Sequence, residues 1–139
     1  MPRETLVVDA SVAIKWLVQE DGSEAADALN VCTLVAPALI RVEVANVLRT
    51  MAARASIAAA EAADLFALFL AAPVDLVEHD DALETRALAL ALALKHPVYD
   101  CLNLAVAERA GVPLVSADRR FLRALVGTPF ESLGRSLVA

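Results

Sequence analysis

The amino-acid sequence predicts a three-layer α/β protein, with a central parallel sheet of about five strands flanked by helices. Short apolar or β-branched segments alternate along the chain with longer segments in which apolar residues recur at helical spacing. Apolar strands of this kind suit a parallel sheet, because both of its faces are buried. The chain has 139 residues, of which 59% are hydrophobic, and no internal repeat or linker. We therefore expect one domain spanning residues 1–139.

Five segments are predicted to form the strands. The first four are compact runs of mainly apolar or β-branched residues, and the fifth is a short run expected at an edge of the sheet. The predicted strands are Thr5–Val8, Thr33–Ala36, Val74–Val77, Val112–Val115 and Phe130–Leu133.

Seven further segments are predicted to form helices: Ser11–Val18, Ser23–Leu29, Pro37–Met51, Ile57–Ala71, Ala82–Leu94, Asp100–Ala110 and Arg119–Leu125. Ser23 and Ser56 are expected to cap the second and fourth helices at their N-termini. Either Asp80 or Asp81 is expected to cap the fifth helix. Gly111 should end the sixth helix, because glycine tolerates a left-handed cap.

Composition limits the classes of function. The net charge of −6 argues against holding nucleic acid through an overall positive field, although it allows a nucleic-acid enzyme with a local basic rim. No apolar run approaches the roughly 18–20 residues that a bilayer requires, and a signal-peptide pattern is absent, so we expect a cytoplasmic protein with no membrane contact. Cys32 and Cys101 are not spaced for a zinc site, and we expect two buried free thiols.

Four acidic residues stand where a parallel α/β sheet binds its ligands, beyond the carboxyl ends of the strands. Asp9 follows the first strand, and Asp118 follows the fourth strand, which we expect beside the first. Asp100 begins the helix that leads into the fourth strand, and Glu43 lies one to two turns into the helix after the second. Each aspartate could instead cap a helix, and Glu43 could face solvent.

Taken together, these acids indicate a metal site. Carboxylates that converge on one edge repel each other unless cations intervene. Oxygen ligands without a histidine or cysteine partner suit Mg²⁺ or Mn²⁺ better than zinc. An ion held in this way can activate water and offset charge on a phosphate, so hydrolysis of a phosphodiester is the expected chemistry.

Four segments in order resemble the PIN domain, and their spacing resembles the VapC toxins of bacterial toxin–antitoxin pairs. The segments are Val7–Ser11, Glu43–Leu48, Tyr99–Ala107 and Val115–Arg120. The resemblance implies a PIN-like fold and a Mg²⁺- or Mn²⁺-dependent endoribonuclease that hydrolyses RNA by metal-activated water.

The resemblance also implies roles for individual residues and partners. Asp9, Glu43, Asp100 and Asp118 match the metal-binding and catalytic acids of the family. Ser11, Asn46 and Ser116 match polar positions that support them. The implied partners are an RNA substrate, a second copy in a homodimer and a VapB-type antitoxin, which would carry the complex to operator DNA.

Other side chains are also expected near this edge of the sheet. Four basic residues could contact RNA phosphates or could simply face solvent: Lys15, Arg119, Arg120 and Arg123. Trp16 and Tyr99 could stack on a base, although packing in the core or at an interface is favoured. No chemistry is assigned to His79 or His96, because their spacing does not suit a metal site.

Two alternative functions stay open from the sequence. A haloacid-dehalogenase-like phosphohydrolase would use Asp9 as its nucleophile, but the chain is short for that class and lacks a matching later lysine. A non-catalytic α/β interaction module would leave Glu43 unexplained. A covalent intermediate on Asp9 would favour the first alternative, and function that survives chelation would favour the second.

Overall fold

Five parallel strands form the centre of the computed structural model, which describes residues 2–138. The strands are β1 (Thr5–Val8), β2 (Thr33–Pro37), β3 (Val74–Val77), β4 (Leu114–Ser116) and β5 (Gly134–Ser136). Their order in the sheet is β3-β2-β1-β4-β5. The chain builds the sheet outward from β1 in one direction through β2 and β3, and then returns to place β4 on the other side of β1. The topological switch point, where such sheets bind ligands, therefore lies between β1 and β4.

Helices cover both faces of the sheet, which confirms the predicted α/β class. They are α1 (Ala10–Leu17), α2 (Ser23–Ala28), α3 (Ile40–Ala53), α4 (Ala59–Leu70), α5 (Asp81–Leu94), α6 (Val98–Ala110) and α7 (Arg119–Leu125). Successive strand residues face opposite sides. Leu6 and Val8 of β1 therefore pack into one core with α1, α3 and α4, whereas Val7 packs into a second core with α5, α6 and α7.

The fifth strand is displaced from its predicted position. Phe130–Leu133 is not a strand, because a local turn uses its backbone: Phe130 N–H donates to the Thr128 hydroxyl, and Glu131–Leu133 is a 3-10 helix. The strand begins at Gly134 and pairs with β4. Apolar character placed this segment near the edge, but it did not distinguish a strand from a partly exposed turn.

Several predicted helix starts also need correction. Pro37 ends β2, and α3 begins at Ile40. The second helix has Gly22 at its N-cap with φ 90°, while the Ser23 hydroxyl accepts from Glu20 N and donates to Val18 O. These starts shift because proline and serine also serve at the ends of strands and in loops.

Among the other predicted helix ends, those at Asp80 and Gly111 are confirmed, whereas those at Ser56 and Asp100 are not. Ser56 does not cap α4, whose N-cap is Ala58. Asp80 caps α5 by accepting from Leu83 N, and Gly111 ends α6 with φ 68°. Asp100 lies in the first turn of α6 instead of at its cap.

The expectation of two buried thiols is met by one of the two cysteines. Cys101 is buried but Cys32 is partly exposed, and both are free thiols. Among the helices of the described residues, none combines the length and apolar character needed to cross a bilayer.

The close packing of β5 under α7 can be tested by a substitution at Gly134. A Cβ atom added at Gly134 would lie 2.8 Å from Cδ1 of Leu125, a side chain that is 1% exposed and has little room to move. We expect Gly134→Ala to lower the free energy of unfolding by about 1–3 kcal/mol, measured by urea denaturation. Ser136→Ala, at an exposed position of the same strand, is the control and should change it by less than about 0.5 kcal/mol. Equal effects of the two variants would contradict the packing described.

Candidate active site

The carboxylate of Asp9 stands at the switch point, and both of its oxygens accept hydrogen bonds. Oδ1 accepts from the Ser11 hydroxyl at 2.5 Å and from Val12 N at 3.2 Å. Oδ2 accepts from the Ser116 hydroxyl at 2.5 Å. Asp9 is 5% exposed and Ser116 is fully buried. Asp9 thus caps α1, as the sequence allowed, and also joins the end of β1 to the end of β4.

The two serine hydroxyls are held in turn by the loop that follows β4. Ala117 N donates to the Ser11 hydroxyl at 2.9 Å, and Asp118 N donates to the Ser116 hydroxyl at 3.0 Å. Each hydroxyl therefore accepts from the backbone while it donates to Asp9. The structure brings together the predicted residues Asp9, Ser11 and Ser116.

Asp118 lies at the start of α7 and caps it through a single oxygen. Oδ1 accepts from Arg120 N at 3.0 Å and from Phe121 N at 3.2 Å. The capping interpretation and the site interpretation of Asp118 are compatible, because the carboxylate has a second oxygen.

Asp100 approaches the same edge from the first turn of α6, and a histidine fixes its side chain. Nε2 of His96 lies 2.7 Å from Oδ2 of Asp100, and the His96 side chain is only 8% exposed. The ring of His96 packs on Phe121, with centroids 5.0 Å apart. An ionised carboxylate can only accept, so Nε2 is the donor. Sequence reasoning missed this role, although the four-residue spacing from Asp100 was available as a signal.

Glu43 lies in the first turn of α3, nearer the helix start than predicted, because α3 begins three residues after Pro37. Its side chain is partly buried, and Oε1 is a buried oxygen with no hydrogen-bond partner among the described residues. The alternative that Glu43 simply faces solvent is therefore wrong. Asn103, buried on α6 one turn beyond Asp100, also carries an unpartnered oxygen, and the sequence reasoning did not single it out.

The carboxyl groups influence one another electrostatically. Burial raises the pKa of Asp9 to about 6, against the lowering effect of the serine hydroxyls. Burial, followed by repulsion from Asp100 and Asp9, raises the pKa of Glu43 to about 7. Burial also raises the pKa of Asp100, with His96 opposing the shift and Asp118 adding to it. The four acids thus form one electrostatically coupled set.

The donors of this set fit a hard divalent cation by their chemistry. Within residues 2–138 no three His, Cys, Asp or Glu side chains are grouped closely enough to hold an ion together. The oxygen Oε1 of Glu43 nevertheless lacks a partner, and burial together with like charge disfavours ionisation of Glu43 and Asp9. Positive charge is what such a set lacks, and carboxylate oxygens are the ligands that Mg²⁺ and Mn²⁺ prefer.

The four basic residues predicted near the site have different surroundings. Arg119, Arg120 and Arg123 are exposed on α7, directly after Asp118. Lys15 is engaged elsewhere, because its Nζ contacts Glu20 Oε1 at 3.0 Å and Asp21 O at 2.6 Å. Its proposed phosphate contact would require breaking both interactions.

A cavity of about 440 Å³ opens beside Glu43 between α3 and α6, and we call it the α3–α6 cavity. It is lined by Ala10, Leu39, Val42, Glu43, Asn46, Val47 and Tyr99. Asn46 is exposed one turn after Glu43, on the same face of α3. Trp16, by contrast, packs against the core and donates its indole N–H to Ala26 O, which confirms the favoured packing role for that residue.

The raised pKa of Glu43 predicts a pH-dependent stability. Between about pH 4.5 and 7 the folded state retains a proton that the unfolded state has lost, so the free energy of unfolding falls as pH rises through this window. Glu43→Gln removes this contribution. We expect the free energy of unfolding of the variant, minus that of the wild type, to rise from acidic to alkaline pH. Because Glu43 is partly exposed, the expected rise is about 1–2 kcal/mol. Urea denaturation across this range measures the difference, and a difference independent of pH would contradict the raised pKa.

Comparison with known proteins identifies the family of this fold. The family model described as PIN domain matches residues 6–125. Comparison with curated protein sequences finds no match. Among solved structures, PAE2754 of Pyrobaculum aerophilum is 22% identical with a TM-score of 0.69, covering 90% of this chain and 82% of that one.

Two further solved structures share the fold at lower identity. VapC20 of Mycobacterium tuberculosis, a toxin described as cleaving the sarcin-ricin loop, is 14% identical with a TM-score of 0.62, covering 81% of this chain and 87% of that one. A chain of VapBC2 from Rickettsia felis, solved with a promoter DNA fragment, is 12% identical with a TM-score of 0.67, covering 95% and 98%. The match of the family model over most of the length, on a fold with acids at the switch point, shows that this chain belongs to the PIN domain family.

Proposed function

We propose that this protein is a divalent-metal-dependent endoribonuclease and the toxin member of a VapBC-type toxin–antitoxin pair. The observation that carries the proposal is the coupled set of four carboxylates at the β1–β4 switch point, with an unpartnered oxygen on Glu43. Membership of the PIN family supports a nuclease, and the similarity to a toxin described as cleaving the sarcin-ricin loop supports RNA as substrate.

Asp9, Glu43, Asp100 and Asp118 are the residues that would hold Mg²⁺ or Mn²⁺. Such an ion, when bound, lowers the pKa of water and offsets negative charge on a phosphate. The remaining groups orient the carboxylates. Ser11 and Ser116 hold Asp9 through both of its oxygens, and His96 holds Asp100.

Glu43 is the acid best suited to move a proton. Burial and the neighbouring carboxylates raise its pKa, whereas a bound cation would lower it and leave the carboxylate ionised, ready to accept a proton. Its oxygen Oε1 is not committed to any hydrogen bond within the described part of the chain. We therefore assign to Glu43 the removal of a proton from the water that attacks the phosphorus, in addition to its charge.

Asp9 is poorly suited to act as a nucleophile, which argues against a haloacid-dehalogenase mechanism. Hydrogen bonds from two hydroxyls and one backbone N–H hold its two oxygens in place, and Oδ2, which accepts only one of them, keeps a second acceptor site for a cation. These donors stabilise a carboxylate that stays in place. A fixed charge suits the binding of a cation better than covalent attack.

The proposal includes the partners of a VapC-type toxin. The chain would act in the cytoplasm as a homodimer, bound to a VapB-type antitoxin that covers the site and attaches the complex to operator DNA. Similarity to a VapBC complex solved with promoter DNA supports this part. The exposed arginines of α7 would contact the phosphates of the RNA.

Metal binding can be tested apart from activity. We expect Mn²⁺ to bind the purified protein in isothermal titration calorimetry, and Asp9→Asn to weaken binding at least tenfold, because a buried ligand and its charge are lost. Asp64→Asn is the matched control, since Asp64 is exposed on α4. Equal affinities for the Asp9 and Asp64 variants would contradict the assigned site.

Cleavage tests the reaction itself. The protein should cut a total RNA pool with Mg²⁺ or Mn²⁺ and should be inactive in EDTA. Asp9→Asn and Glu43→Gln should each lower the rate by a factor of about 100 or more, while Asp64→Asn should keep it. Cleavage that persists in EDTA, or that survives Asp9→Asn, would overturn the proposed mechanism.

A further inference from the structure

We propose that the α3–α6 cavity is a nucleobase subsite, which receives the base next to the phosphodiester that is cut. This inference rests on the proposed ribonuclease function and adds a specificity-determining element to it. Tyr99 would stack on the base, and Asn46 would contact its polar edge.

The volume and lining of the cavity suit a small ligand with apolar faces and a polar edge. Its volume of about 440 Å³ falls within the range of small-molecule sites, about 300–1,000 Å³. Leu39, Val42 and Val47 supply apolar walls, whereas Glu43 and Asn46 supply the polar groups. Val42 is 66% exposed at this wall, so its apolar surface is available to a ligand.

Tyr99 provides an aromatic surface beside the proposed reaction site. It precedes Asp100 directly in α6, and it is 61% exposed although it lines the cavity. A nucleobase can stack on such a ring irrespective of its identity, because every base has a π-face. The other candidate for stacking, Trp16, is committed to packing and to a hydrogen bond with Ala26.

Asn46 adds a group that can distinguish bases. Its side chain is exposed at the cavity, one helical turn after Glu43. An amide offers both a donor and an acceptor, which together match the polar edge of a base. A base stacked on Tyr99 in this cavity would therefore present its edge to α3.

The distribution of charge separates the position of the base from that of the phosphates. The cavity is lined by no Lys or Arg that could pair with a phosphate, whereas its apolar walls and the Asn46 amide suit a neutral base. The exposed arginines of α7 lie after β4, whereas α3 follows β2, and β1 separates these two strands. The backbone of the RNA would thus run toward α7, with one base turned toward α3.

The test asks whether Tyr99 and one base of the RNA contribute to binding through the same contact, by changing each alone and both together. A short single-stranded RNA that contains a mapped cleavage site is made with an abasic nucleotide at each position in turn. Its affinity for the protein is measured by fluorescence anisotropy in EDTA, where the proposed mechanism prevents cleavage. The protein forms compared are the wild type, Tyr99→Leu and Tyr99→Phe, after urea denaturation has shown that their stabilities are similar.

We expect Tyr99→Leu to weaken binding about tenfold, since it keeps an apolar side chain but removes the ring. Tyr99→Phe, which keeps the ring, should bind within about twofold of the wild type. One abasic position beside the cleavage site should weaken binding to the wild type by a similar factor. That abasic position should cost nothing further in Tyr99→Leu, because both changes remove the same stacking contact.

Additive effects of Tyr99→Leu and every abasic position would overturn the base subsite. A change of oligomeric state of Tyr99→Leu in analytical ultracentrifugation would also overturn it, since Tyr99 would then serve contacts between copies of the chain. The proposed function fails separately, if the wild type neither binds nor cleaves RNA or if Asp9→Asn remains active. Loss of cleavage in Asp9→Asn together with additive effects would remove the base subsite alone.

Discussion

The carboxylate of Asp9 is buried where β1 and β4 meet, and a buried charge is stable only when hydrogen bonds or opposite charge replace the lost water. Two serine hydroxyls and one backbone N–H supply those hydrogen bonds. One serine comes from α1 and the other from the end of β4, so the charge can be held only if the two strands are neighbours. The sheet order and the stability of the site therefore depend on the same contacts.

The fold brings further negative charge to this point. Glu43, Asp100 and Asp118 arrive on three different helices, and burial and mutual repulsion raise the pKa values of Glu43 and Asp100. Helix packing against the sheet offsets this repulsion, since α3 places Ile40, Val44 and Leu48 in one core and α6 is buried from Cys101 to Ala107 on the other side. A protein keeps such an unfavourable arrangement where function requires it. This supports the proposal that the coupled acids form a reactive centre, in addition to the helix caps that Asp9 and Asp118 provide.

The surroundings of the acids differ on their two sides. The side toward β5 carries the exposed arginines of α7, whereas the side toward β2 carries the α3–α6 cavity with its exposed tyrosine. The negative net charge of the chain conceals this arrangement, because three exposed arginines lie together on one short helix. A substrate with alternating charged and flat parts matches both sides at once.

Local chemistry in the sequence was sufficient for the architecture and for the main acids. Apolar runs and helical spacing gave four of the strands to within a few residues, and Asp9 and Asp118 could be placed because each follows a strand of a parallel sheet. Such site residues can be located from the sequence, because the residues on either side of them predict the strand end or the helix start. Element boundaries were less accurate near Pro37 and Phe130, where one residue type is compatible with several local structures.

Only the tertiary structure decided which side chains meet. The hydrogen bond from His96 to Asp100, the unpartnered oxygen of Glu43 and the engagement of Lys15 with Glu20 depend on side-chain direction. So does the difference between the packed Trp16 and the exposed Tyr99. Side-chain direction is set by packing between elements that are distant in sequence, and no pattern within a single element contains that information.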